Sequence, residues 1–414
     1  MIKYQRINMI DKQNDNLIIG INLGDFGSTG NIMLNSLEYA HEHGSFDVIA
    51  CIPYETKQVN KVKTLSFGAK IPKWKRGYYR ILRKLKFPII NDGNYYKEYS
   101  KKLINIIKDY SKYYKTTIIH MHNMHHSNLD INYFYIWLGK QNYKVLYTLH
   151  DCWTFTGGCY TYSFIKCNKW QNKCLDCPLK IKYSKYQLYK RTKLIRMIPN
   201  IQIISVSNWA DQQLKLSKIH NITSKVIWGE TSLKPFYGKT NLKNELMIDN
   251  KKIILFVGAY WNDWKGERYI YDIANLISND YVIIVIGKFN IRGYKNIIQK
   301  DVVSHDKLSE FYSISDVYVS VTQSEQLGLT TCEAQICGTP VVMFGHCGSK
   351  ETVIDGKSGV IVGEDNNIEK LVKAIKYVVE NKPFKKEDII ASGNRFKKYE
   401  HAKKMFSIYN NLVK

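Results

Sequence analysis

The chain is poor in acidic residues, in proline and in long apolar runs. Asp and Glu number 36 against 61 Lys and Arg in 414 residues, which gives a formal net charge of +25. Such an excess favours a polyanionic partner: nucleic acid, an anionic membrane or a phosphorylated substrate. A genome biased towards Lys would produce part of the same excess without any binding role. No stretch approaches 18 apolar residues, so the sequence predicts no membrane-spanning helix.

The start of the chain lacks the pattern of a secretory signal peptide. Residues 1–16 are polar, and the first apolar run, at 17–23, is too short for the hydrophobic region of such a signal. We therefore expect a cytoplasmic protein, peripheral on the inner face of the cytoplasmic membrane. The nine cysteines are then expected to be mostly reduced.

Short apolar runs alternate with helix-like stretches, as in parallel sheets with crossover helices. The length of the chain favours two domains of about 200 residues each. The pattern pauses between about 228 and 250 and then resumes. The predicted strands lie at 17–24, 46–52, 116–123, 144–151, 201–207, 252–259, 281–287, 316–322, 339–344 and 358–362.

This alternation predicts an α/β protein with two Rossmann-like, doubly wound domains that face each other across a cleft. We predict an N-terminal domain over 1–228, a linker over 229–250, a C-terminal domain over 251–395 and a helix over 396–414 that packs back across the cleft. Ligands of such sheets bind at the carboxyl ends of strands, so the cleft is the expected site.

Two glutamates, Glu325 and Glu333, lie eight positions apart before a Gly-Thr-Pro sequence. Two solvated acids on a helix would give the same spacing. However, Gly328 can begin a helix and Gly338 can end it, which places the pair near a helix N-terminus. Such an N-terminus favours an anion such as a diphosphate, and a carboxylate beside it can accept both hydroxyls of a ribose. The combination suits a sugar nucleotide.

The stretch resembles the E-x7-E element of retaining glycosyltransferases of family 4, which have a GT-B fold. The similarity spans about 250–365 and includes FVGAYWNDWKG, SHDKLSEFYSISDVYVSVTQSE, CGTPVV and GHCGSKETVIDGKSGVIV. The resemblance implies that Glu333 binds the donor ribose, that Glu325 lies near the donor sugar and that Lys265 neutralises the diphosphate. It also implies that backbone N–H groups hold the phosphates and sugar at Leu327, Gly328, Leu329 and Thr330.

The chain departs from the family pattern at two places. Many relatives carry Arg just after the Val-Gly of the first donor-domain strand, where this chain has Ala259, and Lys288 is one hypothetical replacement. Relatives often read Asn-Gly-Ile-Asp in the linker, where this chain reads WGETS, so no role is carried over there. Glu351 lies in the similar region but would also suit a simple helix start.

The N-terminal half resembles a narrower group, the bacterial exopolysaccharide and capsule glycosyltransferases. The similar runs are GDFGSTGNI, IIHMHNMHHSNLDINYFYIWL, YTLHDCWTFTGGCYTYSFIKCNKWQNKCLDCP and VSNW. The resemblance implies that Gly27 and Gly30 lie at the cleft and that His150 is catalytic, beside the donor sugar. Asp151 would orient His150 or contact the acceptor. A histidine satisfied within the core is the alternative for His150.

Two residue clusters leave the question of a metal open. The run HMHNMHH at 120–126 holds four histidines, which suit a metal ion, although the family uses this run as a cleft loop. A loop over 152–177 is rich in cysteine, and four thiolates with C-x7-C-x6-C-x2-C spacing would suit a structural zinc. A reduced structural loop and disulfides are the other interpretations. These four residues are Cys159, Cys167, Cys174 and Cys177.

The stretch 69–86 contains eight Lys or Arg, no acid, and interleaved aromatic and apolar residues. This composition is typical of a helix that lies on an anionic membrane surface. A solvated basic face or a nucleic-acid patch would have a similar composition. The membrane interpretation is favoured because acceptors of the family are often lipid-linked.

Together these features predict a retaining glycosyltransferase of surface polysaccharide biosynthesis. It would move a hexose-type sugar from a UDP- or GDP-sugar to a lipid-linked or oligosaccharide acceptor, with no cofactor needed for the chemistry. No nucleic-acid partner is expected. The alternatives are a nucleic-acid-binding protein on a degenerate GT-B scaffold, and a GT-B hydrolase or phosphorylase, because a water or phosphate acceptor leaves no local motif.

Overall fold

The computed structural model describes residues 13–54, 61–68, 93–125, 128–290 and 293–414. The basic stretch 69–86, which the sequence predicts to lie on a membrane surface, is outside these residues. Two parallel sheets dominate the described part of the chain.

The first sheet has seven parallel strands in the order β3-β2-β1-β4-β5-β6-β7. The chain order reverses between β1 and β4, which both pair in parallel and leave a crevice at their carboxyl ends. The strands are β1 (Asn16–Ile21), β2 (Phe46–Ile52), β3 (Thr64–Ser66), β4 (Thr116–Met121), β5 (Lys144–Leu149), β6 (Ile201–Ser205) and β7 (Ser224–Val226).

Between the strands of this sheet, the described ranges contain five α-helices. The central strands are buried on both faces, which explains why their sequences are continuous apolar runs and not alternating ones. The helices are α1 (Gly27–His43), α2 (Gly93–Ser111), α3 (Ile131–Leu138), α4 (Ser184–Arg196) and α5 (Asn208–Lys215).

The second sheet has six parallel strands in the order β10-β9-β8-β11-β12-β13. They are β8 (Lys252–Tyr260), β9 (Tyr281–Lys288), β10 (Ile297–Lys300), β11 (Val317–Ser320), β12 (Val341–Phe344) and β13 (Gly359–Val362). The following helices belong to this half or follow it: α6 (Leu242–Glu245), α7 (Glu267–Leu276), α8 (His305–Ile314), α9 (Leu329–Ile336), α10 (Ile368–Asn381), α11 (Lys386–Gly393) and α12 (Glu400–Val413). The predicted pair of parallel α/β sheets is confirmed.

The last helix, α12, returns to the first sheet. Its residues Met405, Ile408 and Tyr409 are buried in one cluster with Met33 and Leu37 of α1. The connection between the sheets holds its start in place, because the Glu230 carboxylate accepts hydrogen bonds from the backbone N–H groups of residues 401 and 402, at 2.9 and 3.3 Å. The connection before the second sheet and the helix α12 after it therefore contact each other and the first half of the chain.

Candidate active site

A cavity of about 260 Å³ lies between the two halves of the chain. From the first half it is lined by Ser28 and Thr29 at the start of α1 and by residues after β5 and β6. From the second half it is lined by the end of β8 and the start of α9. Eight residues that the sequence singles out line it: His150, Lys265, Glu325, Leu327, Gly328, Leu329, Thr330 and Glu333.

Glu333 lies on α9 with its carboxylate almost completely buried. The Thr231 hydroxyl donates to one carboxylate oxygen at 2.9 Å, and the Tyr312 hydroxyl donates to the other at 3.2 Å. Burial raises the pKa of Glu333 to about 7, although these two hydrogen bonds oppose the rise. A buried carboxylate at the edge of a cavity is suited to accept hydroxyl groups, as a ribose would supply.

Lys265 and Glu325 form an ion pair across the cavity, with 2.7 Å between Nζ and Oε2. Lys265 lies in a short 3-10 turn, where the Asn262 side chain accepts a hydrogen bond from its backbone N–H. Gly266 follows with φ +81°, and a Cβ there would lie 2.3 Å from the Val321 carbonyl oxygen. Glycine is therefore required after Lys265, and this close approach to the end of β11 holds the lysine beside Glu325.

The N-terminus of α9 opens towards the cavity. Gly328, the residue before the helix, has φ +78°, a conformation that favours glycine. The Thr330 side chain is fixed because its hydroxyl accepts a hydrogen bond from the Tyr318 hydroxyl at 2.7 Å. The first backbone N–H groups of a helix have no partner within it, so this end is suited to an anion.

The first glycine-containing turn borders the same cavity through the residues between its glycines. Gly27 starts α1 with φ +68°, and a Cβ there would meet open space. Gly30 is packed closely, because a Cβ there would lie 2.7 Å from the Asp25 carbonyl carbon. Ser28 and Thr29 line the cavity, whereas Gly27 and Gly30 shape the turn that presents them.

His150 follows β5 and belongs to a cluster of histidines. Its Nε2 atom lies 2.9 Å from Nδ1 of His122, and the two rings stack. His120 lies beside His122 and contacts the Tyr409 hydroxyl of α12 at 2.6 Å. Burial, together with the nearby His401, lowers the pKa of His150 to about 3. Burial also lowers the pKa of His120 and His122 well below the usual range. These imidazoles are therefore neutral at pH 7.

The Asp151 carboxylate contacts residues other than its neighbour His150. One carboxylate oxygen lies 3.1 Å from Nδ1 of His125, and the other accepts a hydrogen bond from the Trp153 backbone N–H at 2.8 Å. Asp151 thus ties the loop after β4 to the loop after β5, both of which border the cleft.

Three functional positions gave no signal in the sequence. Thr231, in the linker that departs from the family pattern, holds the Glu333 carboxylate, and Tyr312 holds it from α8. The Glu230 carboxylate accepts hydrogen bonds from the start of α12, as described above. A hydroxyl that supports a buried carboxylate has no fixed sequence distance from it, so no spacing pattern could identify Thr231 or Tyr312.

Glu351 joins the two halves of the chain. Its carboxylate accepts hydrogen bonds from the backbone N–H groups of Asn208 and Trp209, at 2.9 and 2.6 Å. It also accepts from the Trp228 indole at 3.2 Å. Glu351 therefore caps the start of α5, on the opposite half of the chain, and does not act as a simple helix-start residue of its own segment.

Lys288 does not supply the missing cation at Ala259, the position where many relatives carry Arg. Ala259 lines the cavity, but Lys288 lies at the exposed end of β9 and is outside the cavity lining. Within the described ranges, Lys265 is the cation that lines this cavity.

The four cysteines of the loop are free thiols. Cys159 and Cys174 are buried in the main cluster of the first sheet, and burial raises the pKa of Cys159 to about 11. Among the described residues, no group of three His, Cys, Asp or Glu side chains could hold a metal ion, and this includes the four cysteines. The arrangement corresponds to the reduced structural loop, and the predicted zinc site is not formed in it.

No helix of the described ranges is both long and apolar enough to cross a membrane.

Comparison with solved structures identifies the fold. The chain is similar to sucrose-phosphate synthase from Thermosynechococcus elongatus, with a TM-score of 0.70, 17% identity and coverage of 96% of this chain and 99% of that one. It is also similar to the Anabaena HepE protein in complex with UDP and glucose, with a TM-score of 0.68, 12% identity and coverage of 95% and 99%. At such identities the similarity shows the fold alone, which is the predicted GT-B arrangement.

The class of enzyme comes from the sequence comparisons. Residues 238–397 match the family described as Glycosyl transferases group 1. The chain is 27% identical over 267 residues to an uncharacterized 41.2 kDa protein in the cps region of Klebsiella pneumoniae, covering 62% of this chain and 68% of that protein. Further relatives are matched over 52% of their length or less. Residues 238–397 thus form a glycosyltransferase group 1 domain, and the protein is a glycosyltransferase.

Proposed function

We propose that this protein is a retaining glycosyltransferase of family 4 that transfers a hexose from a UDP- or GDP-sugar. The acceptor would be a lipid-linked or oligosaccharide molecule of bacterial surface polysaccharide biosynthesis, at the inner face of the cytoplasmic membrane. The observation that carries the proposal is the convergence of Glu333, Lys265, Glu325 and His150 on one cavity between the two halves.

Each of these groups has a role that its surroundings support. The Glu333 carboxylate accepts the ribose hydroxyls, with Thr231 and Tyr312 keeping it in place. The diphosphate lies against the start of α9 and takes the Lys265 ammonium, which is paired with Glu325 in the absence of donor. A fixed cation there stabilises the charge that grows on the leaving diphosphate.

Retention of configuration requires the acceptor to attack on the face from which the diphosphate leaves. A leaving diphosphate oxygen would take the acceptor proton as the C1–O bond breaks and the new glycosidic bond forms. The protein then contributes mainly position and electrostatics. His150, neutral and beside the cavity, serves as a hydrogen-bonding group for the donor sugar and not as a cation.

Relatives support the polysaccharide context of the proposal. The Klebsiella relative is described by its place in a cps region, and the Anabaena neighbour is described in complex with UDP and glucose. A UDP-sugar is therefore our preferred donor, with a GDP-sugar second.

Calorimetric titration of UDP, GDP, CMP and ATP tests the donor site. We expect one nucleoside diphosphate to bind the wild type and to lose at least tenfold in affinity with Glu333→Ala, because the ribose hydroxyls lose their acceptor. Glu369→Gln, an exposed glutamate on α10, is the matched control and should bind as the wild type does. Binding of none of the four nucleotides, or equal binding by Glu333→Ala, would overturn the assignment.

A second measurement tests transfer against hydrolysis. The protein is incubated with the nucleotide sugar that binds, with and without a membrane lipid extract, and the anomeric product is followed by NMR. Transfer predicts a new glycoside of unchanged anomeric configuration that requires the extract. Free sugar at the same rate in both incubations would instead assign a hydrolase.

A further inference from the structure

A second groove, which shares no lining residue with the cavity between the two halves, runs along α4. Its volume is about 550 Å³, and it is bordered by the cysteine-rich loop, by α4 and by the turn after α5. We call it the basic groove, because five cationic residues and no acidic residue line it. These residues are Lys173, Lys185, Lys193, Arg196 and Lys218.

The helix places these charges in a row. Lys185, Tyr189 and Lys193 are spaced four residues apart, and Arg196 follows three residues later, so they lie on one face of α4. The opposite face packs into the core of the first sheet through buried residues such as Ile195. The cationic row therefore results from amphipathic spacing along the helix.

The five cations of the basic groove have no acidic partners in the described part of the chain. None of them forms an ion pair with any residue in the described ranges. On neighbouring α5, by contrast, Lys215 pairs with Asp211 at 2.7 Å. Like charges along one helix face repel one another, and an anionic ligand relieves that repulsion.

The segments that border the basic groove carry exposed apolar and aromatic side chains. The exposed fraction is 57% for Tyr186, 64% for Tyr189 and 55% for Met197, and the adjacent loop adds Leu175 and Leu179. Tyrosine rings and aliphatic side chains beside lysines are typical of a surface that sits at the interface of a lipid bilayer. Aliphatic side chains find no such environment on a nucleic acid, which favours a membrane as the occupant.

We infer that the basic groove and its exposed rim form a docking surface for a membrane rich in anionic phospholipid. Lipid phosphates would enter the groove, while the tyrosines and aliphatic side chains lie at the headgroup level. The loop that borders the groove connects directly to His150 at the cleft, so docking here would bring the cleft towards a lipid-linked acceptor. Only this last consequence depends on the proposed function. Vesicle binding itself requires no sugar substrate.

The test is sedimentation of the full chain with vesicles of phosphatidylcholine alone or mixed with phosphatidylglycerol. The wild type should bind the mixed vesicles more tightly, and added salt should weaken this binding. The triple variant Lys185→Gln, Lys193→Gln, Arg196→Gln should bind them about 100-fold more weakly, since each basic residue near an anionic surface contributes about fivefold. The stretch 69–86 is present in every variant, so the ratio reports on the basic groove.

A matched variant separates a local site from net charge. Lys239→Gln, Lys295→Gln and Lys373→Gln together remove the same three charges from exposed positions of the second half. This control should lose little affinity for the mixed vesicles. Tyr186→Ser with Tyr189→Ser keeps the charge and should weaken vesicle binding several-fold.

Each possible result of these binding measurements either supports or overturns the inference. Equal vesicle binding by the groove variant and the matched control overturns the inference, as does equal binding of the wild type to both kinds of vesicle. Loss of binding to an RNA oligonucleotide by the groove variant, without any vesicle binding by the wild type, would assign the surface to nucleic acid instead. Nucleotide affinity by calorimetry should be unchanged in the groove variant, so this inference and the proposed donor site can fail separately.

Discussion

The Nδ1 atom of His122 lies 2.9 Å from the Nε2 atom of His150, and both rings are neutral. One proton must therefore lie between the two nitrogens. The Nε2 atom of His122 is buried and has no hydrogen-bond partner within the described residues. A bare lone pair is tolerated there better than an N–H group, since buried N–H groups without a partner are rare. His122 is thus the donor, and His150 carries its own proton on Nδ1.

This relationship predicts a change of tautomer. In His122→Asp the carboxylate can only accept, so the His150 proton should move to Nε2, whereas His122→Asn keeps a donor near the same place and should leave it on Nδ1. Nitrogen-15 chemical shifts of histidine-labelled protein report the tautomer directly. The His150 signal is assigned by its absence from the spectrum of a variant that lacks His150. The same tautomer in the wild type and His122→Asp would refute the assignment of His122 as the donor to His150.

The raised pKa of Glu333 predicts a pH dependence of donor binding. With a pKa of about 7, the carboxyl group is largely protonated at pH 6 and ionised at pH 8. The ionised form can accept both ribose hydroxyls, so affinity for a nucleotide sugar should increase as the pH rises through 7. The measurement should use a nucleotide sugar and not a free nucleoside diphosphate, because the phosphates of a nucleotide sugar do not titrate in this pH range. Glu333→Gln should bind weakly and lose this pH dependence.

The same residue should lower the stability of the free protein above neutral pH. In the unfolded chain Glu333 ionises near its ordinary pKa of 4.5, whereas in the folded protein it retains its proton up to about 7. The free energy of unfolding therefore falls as the pH rises through this window. Glu333→Gln should raise Tm relative to the wild type at pH 8 but not at pH 4. Equal differences in Tm at both pH values would contradict the burial argument.

Replacement of Lys265 separates catalysis from stability. We expect Lys265→Gln to reduce kcat about 100- to 1000-fold, because the diphosphate loses its fixed cation. The ion pair with Glu325 is partly exposed, so Tm should change little. Steady-state kinetics and thermal unfolding of the same samples measure both quantities. Lys265→Arg keeps the charge and should retain more activity than Lys265→Gln.

The contact of Glu351 with α5 predicts an effect on the association of the two halves. Glu351→Ala removes the acceptor for the N–H groups of Asn208 and Trp209, which costs about 1 kcal/mol for a helix cap. Hydrogen exchange of these two amides should accelerate, and small-angle scattering should report a larger radius. Glu364→Ala removes an exposed partner of Lys350 and serves as the control. Unchanged exchange in Glu351→Ala would show that the contact does not hold the halves together.

The sequence predicts the central strands well because they are buried on both faces and appear as continuous apolar runs. It misses β3, β7 and β10, which have three or four residues and lie at or near sheet edges, where few apolar side chains are required. The resemblance of local motifs to a known family pointed to Lys265, Glu325, Glu333 and His150, and all four line the cavity.

The contacts that support these side chains have a different physical origin. Thr231 and Tyr312 reach Glu333 from separate elements, and His122 reaches His150 from the neighbouring strand end. Such contacts depend on tertiary packing, which a linear pattern does not encode. The linker residue Thr231 is instructive, since the departure from the family pattern gave no reason to expect a role there.

The return of α12 to the first sheet affects the order in which the chain acquires structure during synthesis. Phe406 and Tyr409 of α12 pack against Phe46 at the start of β2 and so cover an apolar face of the first half. On the ribosome, the first half must therefore wait with this apolar face uncovered until the whole second sheet has been translated. We expect nascent chains of the first half to require chaperones, and a peptide of residues 400–413 supplied in trans to protect them.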